Sequence, residues 1–338
     1  MSRELNPHQG RIEQAQAAVM NLTGEIQRSV IGQQDLVRGV LIGLLCQGNL
    51  LLEGQPGLGK TLLVKVLAEA MQLRFSRIQF TPDLMPADIT GTQALVDDGR
   101  DGPGQLVFQP GPIFAHIVLA DEINRATPKT QSALLEAMQE RAITVGGARY
   151  ALEEPFMVIA TQNPIEMEGT YPLPEAQLDR FLFKLTVPYP PLDVLRRIGL
   201  QTTGNKQVET RQVMDRRTLL SLQHLVRELA VAPHVADVAA RLVLATHPDQ
   251  EGSPELIKRF VTYGASPRAM QALLLAGRAE AMLSGRAWVD EQDVRRVAPS
   301  VLRHRMILAF EAELEGITPD ALVLEALKAV PRAKTRQE

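Results

Sequence analysis

Apolar residues along this chain form two kinds of pattern that follow one another. Short continuous apolar runs are typical of strands buried on both faces of a parallel sheet. Such runs occur at residues 50–52, 117–120, 156–160 and 181–187. Elsewhere, apolar residues recur every three or four positions, as on one face of a helix. Helices of this kind are predicted at residues 11–30, 33–46, 60–72 and 128–141. Strands that alternate with helices predict an α/β fold with a doubly wound parallel sheet.

Two segments interrupt this alternation, and we interpret both as insertions into the α/β core. Residues 91–112 contain two short β-like pieces around the polar loop 97–104. Residues 142–152 predict a hairpin, because β-prone residues flank the pair Gly146 and Gly147.

A proline-rich break at residues 188–191 separates two different patterns. Beyond it the spacing of apolar residues is helical, without a second set of buried runs. We therefore predict an α/β domain over residues 1–188, followed by a small all-α domain over residues 193–338.

The composition narrows the choice of partner. Hydrophobic residues make up 45% of the 338 residues, and the net charge of −3 does not favour nucleic acid or an anionic membrane. Aromatic residues make up only 4%, which disfavours a base-stacking surface. The polar beginning of the chain and the lack of an apolar run near ~20 residues predict a cytoplasmic protein without membrane insertion.

The strongest chemical signal is a segment that matches the phosphate-binding pattern G-x-x-x-x-G-K-[ST] between a predicted strand and a predicted helix. It consists of Gly54, Gln55, Pro56, Gly57, Leu58, Gly59, Lys60 and Thr61. Glycines allow backbone N–H groups to turn towards phosphate oxygens, and the start of the following helix favours negative charge. We expect Lys60 to reach the β- and γ-phosphates of a nucleotide and Thr61 to bind Mg²⁺.

Polar residues end the next two buried runs, where ligands of open α/β sheets bind. Asp121 and Glu122 end one run, and Asn163 follows the other. We expect Asp121 to hold Mg²⁺ through water and Glu122 to polarise the attacking water. Asn163 would orient that water or contact the γ-phosphate. Alternatively, the acidic pair only favours the start of a helix, and Asn163 only forms a turn with Pro164.

Two arginines occupy positions suited to stabilising transition-state charge. Arg180 precedes the last buried run and is a candidate arginine finger, although an ion pair with Asp179 would also explain it. Ser266 and Pro267 predict a helix start, which places Arg268 in a first turn, where cations are disfavoured. Arg268 therefore needs an anionic partner, either a γ-phosphate or a nearby carboxylate.

Together these segments resemble the MoxR family of AAA+ ATPases over nearly the whole chain. The resemblance rests on residues 54–61, 108–112, 120–126, 131–139, 160–164 and 173–181. It implies that residues 54–61 are the Walker A motif and residues 117–122 the Walker B motif. It also implies Asn163 as sensor 1, Arg180 as the arginine finger and Arg268 as sensor 2.

The resemblance also assigns the surrounding segments. Ile31 and Gly32 would lie beside the adenine of ATP, and Leu62 would complete the nucleotide contacts. Residues 91–112 would be the helix-2 insert, and residues 142–152 the hairpin before sensor 1.

Two further residues are left open. Arg125 is a second arginine near the expected subunit interface, so the finger is not uniquely assigned. Gln79, at the end of a predicted strand, is a candidate partner that restrains Glu122.

The implied function is Mg²⁺-dependent ATP hydrolysis by a homo-oligomeric ring, a hexamer, which acts as a chaperone-like motor with a von Willebrand factor A domain protein and its client. Alternatives are a nucleic-acid motor, a nucleotide-gated scaffold and a small-molecule kinase. The lack of a basic domain disfavours a nucleic-acid motor. The presence of Glu122 and Arg180 disfavours a scaffold with little turnover. The helical domain and the two inserts disfavour a small-molecule kinase. We interpret the one short basic patch as a solvated helix face. It contains Arg295, Arg296, Arg303 and Arg305.

Overall fold

The structure, a computed structural model, describes residues 7–96, 105–164, 169–204 and 208–331. The predicted loop 97–104 lies outside the described residues. The part of the chain up to the proline-rich break contains the following elements in order: α1 (Pro7–Ser29), α2 (Gln34–Leu45), β1 (Leu50–Glu53), α3 (Lys60–Ala70), β2 (Phe75–Gln79), α4 (Pro86–Thr90), β3 (Gly91–Val96), β4 (Gln105–Pro110), β5 (Ile117–Asp121), a short 3₁₀ helix (Ile123–Arg125), α5 (Pro128–Glu140), β6 (Ala142–Val145), β7 (Ala148–Ala151), β8 (Met157–Gln162), α6 (Glu175–Leu178) and β9 (Phe183–Thr186).

The part after the break contains α7 (Leu192–Thr202), α8 (Arg216–Glu228), β10 (Ala230–Val231), α9 (Pro233–Leu244), α10 (Glu255–Phe260), β11 (Val261–Tyr263), α11 (Pro267–Leu283), β12 (Trp288–Val289), α12 (Glu291–Leu302), β13 (Ile307–Leu308), α13 (Phe310–Leu314) and α14 (Pro319–Ala329). Its short strands pair as the two-stranded ladders β10–β12 and β11–β13.

The core is a five-stranded parallel sheet in the order β2-β5-β8-β1-β9. Successive side chains of a strand point to opposite faces. Accordingly, Leu50 and Leu52 join one hydrophobic cluster, and Leu51 joins the cluster on the other face. Burial on both faces explains the continuous apolar runs, and the predicted α/β fold class is confirmed.

Both predicted insertions are antiparallel hairpins. Strand β3 pairs with β4, and β6 pairs with β7 around Gly146 and Gly147. These glycines have φ values of +58° and +81°, which only glycine adopts without strain. The hairpins touch, because the ring of Phe108 in β4 stacks on that of Tyr150 in β7 with centroids 3.9 Å apart.

The helical part packs against one face of the sheet rather than standing apart from it. Helices α1 and α2 contact α8 and α11, and their buried side chains belong to a single hydrophobic cluster with that face. In this part the apolar spacing predicts helices at residues 217–230, 233–246, 267–284 and 290–297, which correspond to α8, α9, α11 and α12. Helices α7, α10, α13 and α14 were not predicted. Among the described residues, no helix combines the length and apolarity needed to cross a bilayer.

Candidate nucleotide-binding site

The predicted phosphate loop connects the buried strand β1 to helix α3. Gly57 and Gly59 have φ values of +81° and +79°, and a Cβ atom on either would meet open space. Glycine is therefore needed at these positions because of the backbone conformation, since there is enough space for a side chain. Gly59 directly precedes α3. Since the N–H groups of a first helical turn point towards the start of the helix, those of α3 face the loop.

Lys60 is the first residue of α3, and it is buried. Its Nζ donates hydrogen bonds to the backbone oxygens of Gly54 and Gln55. Burial lowers the pKa of the Lys60 ammonium group, and the nearby carboxylates of Asp121 and Glu122 oppose that shift. A buried cation whose hydrogen-bond partners within the described part of the chain are carbonyl oxygens is suited to receive an anion.

The acidic pair lies at the carboxyl end of β5, beside the phosphate loop. Asp121 is the last residue of the strand, and Glu122 follows with φ 57° and ψ 50°. This left-handed conformation costs a non-glycine residue about 1–2 kcal/mol, and such strain is concentrated at functional sites. The Glu122 carboxylate lies 3.1 Å from Nε of Arg125 in the same chain.

Residues at the end of β8 complete the polar side of the site. Thr161, which the sequence analysis did not single out, donates from Oγ1 to Asp121 Oδ1 at 2.6 Å. The same Thr161 oxygen accepts the backbone N–H of Glu122 at 2.9 Å. Asn163 is buried and lines the same cavity. The only feature of the sequence that could have identified Thr161 is that it is a hydroxyl residue near the end of a predicted buried strand.

Strand β2 contributes two side chains from the other side. Gln79 donates from Nε2 to Glu122 Oε2 at 2.9 Å, so the expected contact between these residues is confirmed. Arg77, two residues earlier on the same face, donates to Asp121 Oδ2 at 2.8 Å. Arg77 was not predicted from the sequence, where its only signal is its spacing of two residues from Gln79.

One cavity of about 440 Å³ brings most of the predicted phosphate-site residues together. Its lining includes Lys60, Thr61, Leu62, Asp121, Glu122 and Asn163. Arg180 and Arg268 are absent from that lining.

A second cavity, of about 390 Å³, adjoins the other side of the phosphate loop and is suited to a base. Ile31 lines it, together with Leu195 and Ile198 of helix α7. Gly32 allows α7 to approach closely, since a Cβ there would lie 2.5 Å from Cγ1 of Val194.

Arg180 and Arg268 lie together in a third cavity, of about 320 Å³, with Arg227 and Arg305. Arg268 and Arg305 both pair with the carboxylate of Asp179. Oδ2 of this carboxylate lies 3.7 Å from Arg268 Nη1. Arg268 therefore has the carboxylate partner that was one of its two expected alternatives.

The arginine cavity and the phosphate cavity lie at opposite ends of the sheet. Leu182 N–H bonds to the oxygen of Asn49, just before β1, whereas the phosphate loop begins at Gly54, just after it. From Asn49 to Gly54, a strand that rises ~3.3 Å per residue spans about 16 Å. Among the residues that the structure describes, the two cavities share no lining residue, so Arg180 and Arg268 are remote from the phosphate loop of their own chain.

Residues after α12 hold the segment that carries Arg180. Arg305 donates to Asp179 Oδ1 at 2.9 Å and to the backbone oxygen of Phe181 at 2.6 Å, on both chain neighbours of Arg180. His304 donates from Nε2 to the same oxygen at 3.1 Å. Burial lowers the pKa of His304 well below its usual value, so this ring stays neutral.

The interpretation of the basic patch as a solvated face is wrong for three of its four arginines. The side chains of Arg295, Arg303 and Arg305 are only 12%, 15% and 3% exposed. Their guanidinium groups donate to backbone carbonyls of neighbouring segments, a tertiary contact that sequence spacing does not show. The patch therefore gives no support to nucleic-acid binding.

We expect Arg305→Met to lower the free energy of unfolding by about 3 kcal/mol, because it removes a buried charged donor from the Asp179 carboxylate and from several carbonyl groups. Urea unfolding followed by circular dichroism measures this. The matched control is Arg259→Met, which removes an exposed pair with Glu315 and should cost no more than about 1 kcal/mol. Equal losses in both variants would contradict the assigned role of Arg305.

The residues around the phosphate cavity fit a magnesium nucleotide. The hydroxyl of Thr61 and the carboxylate of Asp121 are the hard oxygen groups that Mg²⁺ prefers. The described residues contain no group of three or more His, Cys, Asp or Glu that could hold a metal ion alone.

The base cavity also fits adenine. Gln33 donates from Nε2 to the oxygen of Leu58 at 2.9 Å, while its Oε1 is buried without a hydrogen-bond partner among the described residues. A free acceptor beside the phosphate loop suits the exocyclic amino group of adenine.

Comparison with known proteins covers both parts of the chain. A family model for the ATPase family associated with various cellular activities (AAA) matches residues 49–183. A model for the AAA lid domain matches residues 254–326. The first match contains the phosphate loop, the acidic pair and Arg180, and the second contains Arg268.

Individual relatives match over most of their length. Chaperone MoxR1 of Mycobacterium tuberculosis is 45% identical over 307 residues, which cover 90% of this chain and 80% of that protein. Protein MoxR of Paracoccus denitrificans is 32% identical over 354 residues, with coverage of 98% and 99%. A crystal structure of a candidate ATPase from Cytophaga hutchinsonii has a TM-score of 0.89 at 37% identity and covers 98% of this chain and 100% of that one.

Proposed function

The chain belongs to the MoxR family of AAA+ ATPases, and on that premise we propose that it is a cytoplasmic, Mg²⁺-dependent ATPase that works as a hexameric ring and remodels or matures a protein client. The observation that carries the proposal is the single cavity of about 440 Å³ in which Lys60, Thr61, Asp121 and Glu122 meet. Those groups are the ones that phosphoryl transfer to water requires.

The proposed roles follow from the positions of these groups. Lys60 and the N–H groups of the loop bind the β- and γ-phosphates, and Thr61 with Asp121 holds the metal. When bound, Mg²⁺ supplies charge neutralisation between the phosphates. Glu122 accepts the proton of the attacking water, and Asn163 orients that water.

Assembly into a ring is supported by the distribution of arginines. The cavity that holds Arg180 and Arg268 is at the far end of the sheet from the phosphate loop, so one chain lacks a complete set of positive charges. Nε of Arg180 is buried and has no hydrogen-bond partner among the described residues. We propose that both arginines act on the nucleotide of the next subunit, through head-to-tail contacts that close into a ring.

The same geometry favours Arg180 over Arg125 as the finger. Arg125 lies on Glu122 of its own chain, at 3.1 Å, and is therefore on the nucleotide-holding side. Arg180 is held to the opposite side by Arg305 and by its own bond from Nη1 to the oxygen of Leu135.

We further propose that a von Willebrand factor A domain protein and its client are the partners. Support comes from the helix-2 insert, whose hairpin exposes apolar side chains that a monomer would ordinarily cover. Leu95 and Leu106 face each other across the hairpin and are 69% and 65% exposed. A partner encoded by a neighbouring gene should bind the wild-type chain and bind less to Leu106→Asp.

Lys60→Ala tests the phosphate site directly. We expect ATP affinity to fall about 30-fold, because a charge-assisted hydrogen bond to a phosphate is worth about 2 kcal/mol. Equilibrium titration with labelled ATP measures the affinity.

Lys65→Ala is the matched control for that variant, since Lys65 lies on the same helix and is 59% exposed in a weak pair with Glu69. Its ATP affinity should equal that of the wild type. Unchanged ATP affinity in Lys60→Ala would refute the assignment of the phosphate loop.

A further inference from the structure

Side chains of β2 already bond to both carboxylates of the acidic pair. Arg77 donates from Nε and Nη2 to Asp121 Oδ2 at 3.0 and 2.8 Å. Nη2 of Arg77 also donates to Gln79 Oε1 at 2.5 Å. Gln79 in turn donates from Nε2 to Glu122 Oε2 at 2.9 Å. One guanidinium group is therefore linked to Asp121 directly and to Glu122 through one amide.

Both carboxylate oxygens of Asp121 already accept hydrogen bonds. Oδ1 accepts from Thr161 at 2.6 Å, and Oδ2 accepts twice from Arg77. The Thr161 hydroxyl is buried and part of the strand end, whereas the Arg77 side chain is 49% exposed. Of the two partners, Arg77 is thus the one that can move away without opening the core.

Arg77 also sets the orientation of the Gln79 amide. A guanidinium group only donates hydrogen bonds, so it attracts the carbonyl end of the amide and leaves the amino end for Glu122. If Arg77 withdraws, that orientation is no longer imposed.

We propose that Arg77 is a positioning residue that competes with Mg²⁺ for Asp121 and, through Gln79, restrains Glu122 until the metal is in place. This inference rests on the proposed function, because it takes Asp121 as the residue that holds the metal. A guanidinium group and a divalent cation repel each other, so both cannot share the same carboxylate at low cost. Arg77 would leave Asp121 when Mg²⁺ binds, and the Gln79 amide would then no longer be held in the orientation that binds Glu122.

The test compares full-length wild type with Arg77→Gln. Binding of a fluorescent, non-hydrolysable ATP analogue is measured once in EDTA and once in excess Mg²⁺. We expect equal affinities in EDTA and about fivefold tighter binding of Arg77→Gln in Mg²⁺, the size expected when a half-exposed ion pair no longer competes.

Arg74→Gln is the matched control, because Arg74 lies just before the same strand, is 58% exposed and pairs with Glu153 instead. It removes the same charge and should bind like the wild type in both solutions. In an Asp121→Asn background, Arg77→Gln should no longer tighten binding in Mg²⁺.

Each other outcome overturns the inference. Unchanged or weaker binding of Arg77→Gln in Mg²⁺ would exclude competition with the metal. Weaker binding of Arg77→Gln in EDTA would identify Arg77 as a phosphate ligand. If Arg77→Gln still tightened binding in Mg²⁺ in the Asp121→Asn background, the change in net charge would explain the effect. By contrast, a wild-type chain that binds no nucleotide in either solution would refute the proposed function itself.

Discussion

Glu122→Gln is expected to bind ATP as tightly as the wild type and to hydrolyse it about 10³-fold more slowly, since general-base catalysis contributes about 10²–10⁴-fold. The amide keeps the size of the side chain, so the backbone turn at residue 122 and the contact from Gln79 can persist. What it loses is the negative charge that polarises water. Phosphate release at saturating ATP measures the rate, and light scattering should show rings that persist with ATP bound.

Glu69→Gln is the control for that variant, because Glu69 lies on α3 and is 46% exposed, away from the phosphate cavity. Its turnover should match that of the wild type. Near-normal hydrolysis by Glu122→Gln would exclude Glu122 as the base, and loss of ATP binding would point to a structural role instead.

The parts of the site that could be predicted are those that short segments encode by themselves. The spacing from Gly54 to Thr61 places a turn between a strand and a helix, and this local unit is sufficient to orient N–H groups towards phosphates. Asp121 and Glu122 were identifiable because they end a continuous apolar run. In each case the chemistry and the element that positions it are adjacent in sequence.

Contacts between distant segments could not be predicted in the same way. Arg77 and Thr161 reach Asp121 only because β2, β5 and β8 are neighbours in the sheet, an order that apolar spacing does not reveal. Likewise, Arg305 had the sequence signature of a surface residue, and its burial depends on the approach of residues 179–181 from another part of the chain.

The position of Arg180 depends on strand order in the same way. Because β9 lies next to β1 at the edge of the sheet, the segment before β9 lies at the amino end of β1 and the phosphate loop at its carboxyl end. The segment that carries Arg180 therefore lies at the end of the sheet away from the phosphate loop of its own subunit. That geometry gives the proposed ring a direct test.

Arg180→Ala is expected to bind ATP nearly normally and to hydrolyse it about 10³-fold more slowly, the lower end of the effect of an arginine finger. When it is mixed with Glu122→Gln, some ATPase activity should return. An interface is complete when Arg180→Ala holds the nucleotide and Glu122→Gln supplies the finger, and random mixing in a head-to-tail ring makes about a quarter of interfaces complete. Activity should rise with protein concentration, because dilution separates the subunits.

A mixture of Lys60→Ala with Glu122→Gln is the negative control. Both substitutions affect the nucleotide-holding side, so each interface in those rings has one defective holder and activity should not return. If Arg180 acted within its own subunit, its mixture with Glu122→Gln would behave like this control. Absence of rescue in rings that contain both variants would therefore oppose the assignment of Arg180 to the neighbouring nucleotide. Full activity of Arg180→Ala alone would exclude it as the finger and leave Arg125 as the remaining candidate.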